Sequence, residues 1–301
     1  MSLLSVIVNV IGPVILIVGI GILFERKFSL DPRVLSRLVI YVFTPCLLLS
    51  SIAKSALQPR EVWQITAVAV LSPLVVSVFG LLLSRFMGFD RPLTSAFLLS
   101  VSLVNVGNYG LPVNDFAFGR VGLERALVYF VVATIWTNTV GVFLASSGNA
   151  SLKRSLLNVF TTPLPYVTVL ALVLNAYQVT VPLPIERTIS LLGQATIPCA
   201  LLVLGFQLSR ASFKGRIGPI LMATATRLIG GPLTAFALVA MFGITGVARQ
   251  VCIIQASMPC GVLSGVLAAE FGSDVDFATS VVLVSTIGSV ISLSLLLWMV
   301  A

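Results

Sequence analysis

The sequence predicts an all-α integral membrane protein: about ten transmembrane helices, built as two inverted five-helix repeats in which helices 4 and 9 are broken and cross. Three observations carry this. First, 58% of the 301 residues are hydrophobic and only 9% are charged, against about 25% charged in soluble domains, and mean hydropathy is +1.10. A globule of this size has no room to hide that much apolar surface from water, so soluble and disordered chains are excluded. Second, the apolar residues come in continuous runs of helix-spanning length rather than in the alternation of a β-barrel. Third, motifs recur at a spacing of 152 to 159 residues.

The runs lie near 3–24, 34–53, 62–84, 93–113 and 125–146, then 163–178, 185–208, 217–242, 250–269 and 277–300. The first lacks a basic leader and is followed by Glu25, Arg26 and Lys27 without a small-residue cleavage site, so it reads as a retained span rather than a signal peptide. The sixth is the shortest, bracketed by Pro163, Pro165 and Pro182.

The repeat is read from four collinear matches. Thr44-Pro45-Cys46 in span 2 recurs as Ile197-Pro198-Cys199 in span 7, and Val132-Ala133-Thr134-Ile135 in span 5 as Val284-Ser285-Thr286-Ile287 in span 10. Asp115-Phe116 matches Glu270-Phe271, and Pro73-Leu74 matches Pro232-Leu233. The division is 1–150 and 151–301. Five spans per half is an odd number, so the halves insert with opposite topology, the architecture of secondary transporters.

Eleven Lys and Arg residues fall in the odd-numbered loops and six in the even-numbered ones, with Arg227 left inside span 8. The positive-inside rule then places both termini outside the cell membrane and the 147–162 linker in the cytoplasm. The sequon Asn149-Ala150-Ser151 falls in that linker and reads as chance. The formal net charge of +8 is topology, not a nucleic-acid surface.

The chain has no histidine and four cysteines, Cys46, Cys199, Cys252 and Cys260, all inside apolar runs without metal-ligand spacing. This removes the commonest general base and metal ligand. With no Walker motif or dinucleotide fingerprint either, the expectation is no enzyme, no metal and no cofactor.

Chemistry concentrates at the breaks. Span 4 holds Asn105-Val106-Gly107-Asn108-Tyr109-Gly110-Leu111-Pro112, and span 9 holds Met258-Pro259-Cys260-Gly261. Gly costs about 1 and Pro about 3 kcal/mol relative to Ala in a helix interior. In lipid a broken helix is tolerated only where its freed backbone finds protein or a cavity. The span 2 to span 7 offset sets Val106 opposite Pro259 and Asn108 opposite Gly261. Half-helix N-termini at the two breaks favour an anion. Asn105, Gly107, Asn108, Tyr109, Pro259, Cys260 and Gly261 are therefore the expected substrate contacts; the alternative is a packing kink. Arg227 joins them as an anion-attracting or gating charge, or else snorkels to the cytoplasmic surface. Asp115 and Glu270, repeat-related acids just past the breaks, are candidates for proton coupling or else solvated loop acids. Ser257, Gly261, Gly265 and Ala269, four residues apart, read as a helix-packing stripe, and Gln194, Gln207 and Asn138 as interhelical hydrogen bonds.

The span 4 motif, Ser257-Met258-Pro259-Cys260-Gly261-Val262-Leu263 in span 9 and Tyr41-Val42-Phe43-Thr44-Pro45-Cys46 in span 2 together resemble the auxin efflux carrier family. The short central linker is similar to that of bacterial members. The resemblance implies the bile-acid/sodium symporter fold, with spans 1, 2, 6 and 7 as scaffold and spans 3–5 and 8–10 as a mobile transport part. It also implies elevator-type movement of small organic anions such as carboxylates or auxin-like acids, and a homodimer in the lipid bilayer. Plant relatives carry Asn-Pro-Asn at both crossovers; here span 9 has Met258-Pro259-Cys260 instead. The competing functions are a sodium-coupled bile-acid-type symporter, an intramembrane lipid-acting enzyme and a sensor.

Overall fold

The computed structural model describes residues 2–146, 162–211 and 213–300. The central linker expected in the cytoplasm, with its sequon at Asn149, lies almost wholly outside the described residues. The helices are α1 (Leu3–Phe28), α2 (Pro32–Ile52) and α3 (Pro59–Phe86), then α4 (Arg91–Ser102). Val106–Ala145 is helical on either side of Gly119, whose φ of 63° and ψ of −160° turn the chain. A Cβ on Gly122 would lie 2.9 Å from the Asn114 carbonyl, a closeness that no straight helix gives at eight residues. The stretch is therefore two helices, α5 (106–118) and α6 (120–145). The second half has α7 (Leu164–Ala176), α8 (Leu183–Arg210) and α9 (Ile217–Met241). It continues with α10 (Gly246–Ala256), α11 (Leu263–Glu270) and α12 (Val275–Val300).

Local chemistry sets these ends. Asp31, Asp90 and Asp274 each accept a first-turn N–H, from Arg33, Leu93 and Phe277, at 2.9–3.0 Å, as helix N-caps do. Gln58 and Glu61 form a capping box ahead of Pro59. Single π-helical turns at Ile7–Ile11, Val39–Phe43, Val106–Gly110 and Thr226–Gly230 each end two residues before a proline, Pro13, Pro45, Pro112 and Pro232. Proline brings no N–H, and a local π turn lets the carbonyls ahead of it find other donors.

Among the described residues, seven helical stretches are long and apolar enough to cross a membrane. That number is below ten for two physical reasons. The fourth and ninth segments are interrupted, so α4, α10 and α11 are each too short alone. At 13 residues, α7 rises only about 20 Å, against a hydrocarbon core of roughly 30 Å.

Polar contacts sort the turns into two groups that alternate along the chain. In one, Asn175 donates to the carbonyls of Ala53 and Ser55, and Lys54 pairs with Glu186. Arg125 pairs with Glu61 at 2.9 Å, and Gln250 reaches the Val300 carbonyl at 2.7 Å near the C-terminus. In the other, Arg210 bridges Glu25 and the Leu30 carbonyl. There too Ser95 reaches the Leu144 and Ala145 carbonyls and takes a bond from Ser273. The first group holds the even-numbered turns with the C-terminus, and the second the odd-numbered ones.

Helix pairings also come in twos, as an inverted repeat requires. α1 packs on α8 as α7 packs on α2; α3 packs on α4 as α9 packs on α10; α12 packs on α4 as the α5–α6 unit packs on α10. At the α1–α8 contact two glycines meet: a Cβ on Gly21 would lie 3.1 Å from the Gly205 Cα, the close approach small residues allow in membranes.

The charge bias predicts which face is which. In a background without native cysteines, Tyr177→Cys on the even-turn face should react with a membrane-impermeant maleimide in intact cells. Met87→Cys on the odd-turn face should react only after permeabilisation. Labelling of both from one side contradicts the inverted arrangement, and reversed labelling contradicts the charge assignment.

Candidate functional site

The two breaks meet. Leu103 leaves α4 in an extended conformation (φ −86°, ψ 126°), and Val104 forms an isolated antiparallel bridge with Cys260. The Asn105 N–H donates to the Pro259 carbonyl at 3.0 Å, and the Gly261 N–H to the Leu103 carbonyl at 2.8 Å. Gly261 eases this close approach, since a Cβ would stand 3.2 Å from the Val104 carbonyl carbon and oxygen. The Cys260 N–H is taken by Ser285 Oγ at 3.1 Å.

These reciprocal bonds define a local two-fold that relates Leu103 to Pro259 and Asn105 to Gly261. The repeat offset at the crossover is therefore 156, not the 153 of spans 2 and 7, and it corrects the expected register by three residues. Asn108 corresponds to Ser264 rather than Gly261. The packing stripe is corrected as well. Ser257 lies just past the end of α10, Gly261 follows the bridge residue Cys260, and only Gly265 and Ala269 are on α11, so the four residues share no helix face.

Arg227 sits behind the bridge, 0% exposed, in the π turn Thr226–Gly230 of α9. Its Nη1 donates to the Val101 carbonyl at 2.9 Å and its Nη2 to the Ala256 carbonyl. Both carbonyls belong to the last turns of the half-helices that run into the break, α4 and α10. Each such end carries roughly −0.5 charge, so two together match one guanidinium. This holds the side chain in the interior and excludes snorkelling. A Cβ on Gly231 would collide with the guanidinium and with the Ala256 carbonyl, so Gly231 is what makes room for it.

The half-helices that leave the break begin without side-chain caps, α5 after Asn105 and α11 after Val262. Asn105 is 6% exposed and its Nδ2 has no partner among the described residues. Gly107 packs against the Phe130 ring, and the Tyr109 hydroxyl takes a bond from Ser289 Oγ at 3.4 Å. Asn108 is half-buried. The sequence reading missed Gln255. It is fully buried, and its Nε2 donates to the Val106 carbonyl at 3.4 Å and the Ala126 carbonyl at 3.2 Å, tying α10 to α5 and α6. An amide four residues before the helix-breaking Pro259 was the available signal.

A cavity of about 480 Å³ opens among α1, α2, α8 and the α5–α6 turn. Its polar lining is Asp115, Arg120, Ser50, Ser51, Ser190 and Gln194, and its apolar lining includes Ile17, Ile197 and Pro198. Of the ten predicted site residues, Asp115 alone lines it. The eight at the crossover are brought together but lie deeper. Asn108 is on the same face of α5 as Asp115, seven residues nearer the break, about 10 Å along the helix. Arg120, also unforeseen, donates to the Ser50 carbonyl at 3.2 Å and to Glu124 at 3.3 Å. Glu270 is exposed at the far end of α11, so the two acids are not brought together. Nor do the three polar residues expected to bond between helices do so. Asn138 donates to Thr134 and Gln194 to Ser190, both one turn back, and Gln207 Oε1 has no partner among the described residues.

Replacing Gln255 by Leu should remove both side-chain bonds that tie α10 to α5 and α6, at a cost of about 1–3 kcal/mol. The melting temperature should fall, and fall further than for Gln250→Leu near the C-terminus. Equal melting of Gln255→Leu and wild type would show that Gln255 does not hold the half-helices together.

Residues 5–155 and again 149–298 match a family described as membrane transport protein. Over 300 residues the chain is 30% identical to an uncharacterized transporter of Methanothermobacter thermautotrophicus, an alignment spanning 98% of this chain and 96% of that one. It is 26% identical over 302 residues to an uncharacterized transporter of Methanocaldococcus jannaschii, spanning 96% and 97% of the two. With apolar helices folded around one crossover, and each half matching the same family, the chain belongs to the auxin efflux carrier-like membrane transport protein family.

Proposed function

We propose that this multi-pass membrane protein is a secondary carrier that moves small organic anions, carboxylates above all, by an elevator-type alternating-access mechanism. The observation that carries the reading is the position of the cavity. It lies between α1, α2 and α8, which belong to the proposed scaffold with α7, and the α5–α6 unit, which belongs to the proposed moving part with α3, α4 and α9–α12. A site there changes its exposure when one group slides against the other.

The chemistry of the cavity suits a carboxylate. Arg120, whose Nε and Nη2 are held by Glu124 and Ser50, keeps Nη1 for an anion, the serines and Gln194 supply donors, and the free end of α5 contributes a partial positive charge further in. Asn108 makes no hydrogen bond to another described residue, so its amide is free to bind. Volumes of roughly 300–1,000 Å³ are usual for small-molecule sites.

Asp115 is the proposed proton carrier. It lines the same cavity, and the described residues offer its carboxylate no ion pair. The nearest cation along the chain, Arg120, is engaged by Ser50 and Glu124. A proton on Asp115 removes the repulsion between its carboxylate and a bound anion, which links substrate to proton. Glu270 offers the equivalent carboxyl on the opposite face. In this reading the protein sits in the cell membrane as a homodimer, with its termini outside.

The test is a thermal-shift screen of purified protein against small mono- and dicarboxylates at two pH values. A binder at a hundredfold excess over Kd stabilises by about 2.7 kcal/mol. Asn108→Ala should weaken the best binder roughly ten- to a hundredfold, the worth of a hydrogen bond to a charged group. Asp115→Asn should keep binding but lose its dependence on pH. Unchanged binding in a folded Asn105→Ala/Asn108→Ala protein, or no stabilisation by any anion, contradicts the reading.

A further inference from the structure

We propose that Arg227 is a tethered replacement for a coupling cation, so that this carrier assembles its crossover without sodium. In carriers with broken helices, unwound carbonyls and the C-terminal ends of half-helices are where a transported Na⁺ or H⁺ is coordinated. Here those ends are α4 and α10. One carbonyl from the last turn of each, Val101 and Ala256, already accepts a guanidinium N–H.

Four features separate this from an ordinary buried arginine. The charge has no carboxylate partner: the ion pairs among the described residues use Lys54, Arg120, Arg125 and Arg210. Its compensation is the pair of helix ends, roughly −0.5 each, so the charge balance is that of a bound monovalent cation. The side chain is fully buried and covalently held, so it does not exchange with the solution during a cycle. Its pocket is built for it, because Gly231 carries no Cβ where the guanidinium meets the Ala256 carbonyl.

The arrangement is also asymmetric. The repeat equivalent of Arg227, at the offset of 159 that relates Pro73 to Pro232, is Val68, which is also fully buried. One cation therefore serves both half-helices, and the other repeat supplies no second charged group. If the transport reading holds, the driving force must come from the substrate gradient or from protons at sites such as Asp115, not from sodium at the crossover. Arg227 is then a positioning residue: it fixes the two breaks from behind and does not touch substrate.

The experiment needs no substrate, so its failure is distinguishable from failure of the anion-carrier reading. Melting of the purified full chain is followed in sodium chloride, choline chloride and dilute guanidinium chloride at constant ionic strength. Wild type should melt at the same temperature in sodium and choline. Arg227→Met should melt lower in choline and recover, saturably, with sodium or dilute guanidinium. Arg227→Lys should behave as wild type, because the tethered charge is retained. Should Arg227→Met yield no folded protein in choline, the same rescue is read as recovery of monodisperse protein when it is prepared in sodium or guanidinium. Saturable sodium stabilisation of wild type overturns the proposal, as does sodium dependence of Arg227→Lys. An Arg227→Met protein equally impaired in all three salts also overturns it, and assigns the arginine a packing role alone.

Discussion

A helix that stops inside a bilayer leaves backbone donors and acceptors with no water to turn to, and each unsatisfied group costs several kcal/mol. The rest of this molecule depends on how that constraint is met. Two helices stop at the same depth, and each answers the other's freed groups through the pair of bonds between Leu103–Asn105 and Pro259–Gly261. The remaining groups go to side chains whose identity is otherwise hard to explain. Ser285 takes the Cys260 N–H, Gln255 reaches the Val106 carbonyl, and Arg227 covers Val101 and Ala256. Gly261 and Gly231 are the spaces through which backbone and guanidinium approach. None of these residues is near the surface, and together they make the crossover a rigid centre rather than a pair of flexible kinks.

The position of that centre explains the shape of the site. Behind it, Arg227 neutralises the ends that run in. Ahead of it, the ends that run out are uncapped, and α5 leads from Asn105 past Asn108 to Asp115 at the cavity wall. Charge is thus sorted along one axis: cation behind, partial positive ends and amides in the middle, a carboxyl and Arg120 towards solvent. The repeat supplies the symmetric part of this design, and the single arginine supplies the part that symmetry does not.

Much of the fold was legible because it rests on signals that sequence carries directly. Apolar run length gives the segments. Gly, Asn and Pro within eight residues of span 4, and Pro259-Cys260-Gly261 in span 9, give the breaks, since those residues are costly in helices wherever they occur. The register across the breaks was not legible. Spans 2 and 7 align at 153 but the bridge at 156, because helix lengths differ between the halves, 28 residues in α3 against 25 in α9, and one offset does not hold along a whole repeat. Arg227 announced itself as a charge in an apolar run, but its partners are carbonyls, which every residue has and no sequence pattern marks. The polar residues Asn138 and Gln194 bond to their own helix one turn back, where local geometry competes with any partner across the interface. Arg120 went unnoticed because it sits at a helix turn, where a basic residue is unremarkable until α2 is seen beside it.

The bridge itself is open to direct measurement. Paired residues of an antiparallel bridge have Cα atoms roughly 4.5–5.5 Å apart with side chains on one face, within disulfide reach. Val104→Cys, in a protein that keeps Cys260 and lacks the other three cysteines, should therefore form an intramolecular disulfide under a membrane-permeant oxidant. Both thiols should then be lost to alkylation until a reductant is added. Cysteines that stay free in a folded protein, or a Val106→Cys variant that crosslinks to Cys260 in preference to Val104→Cys, would contradict the crossover described here.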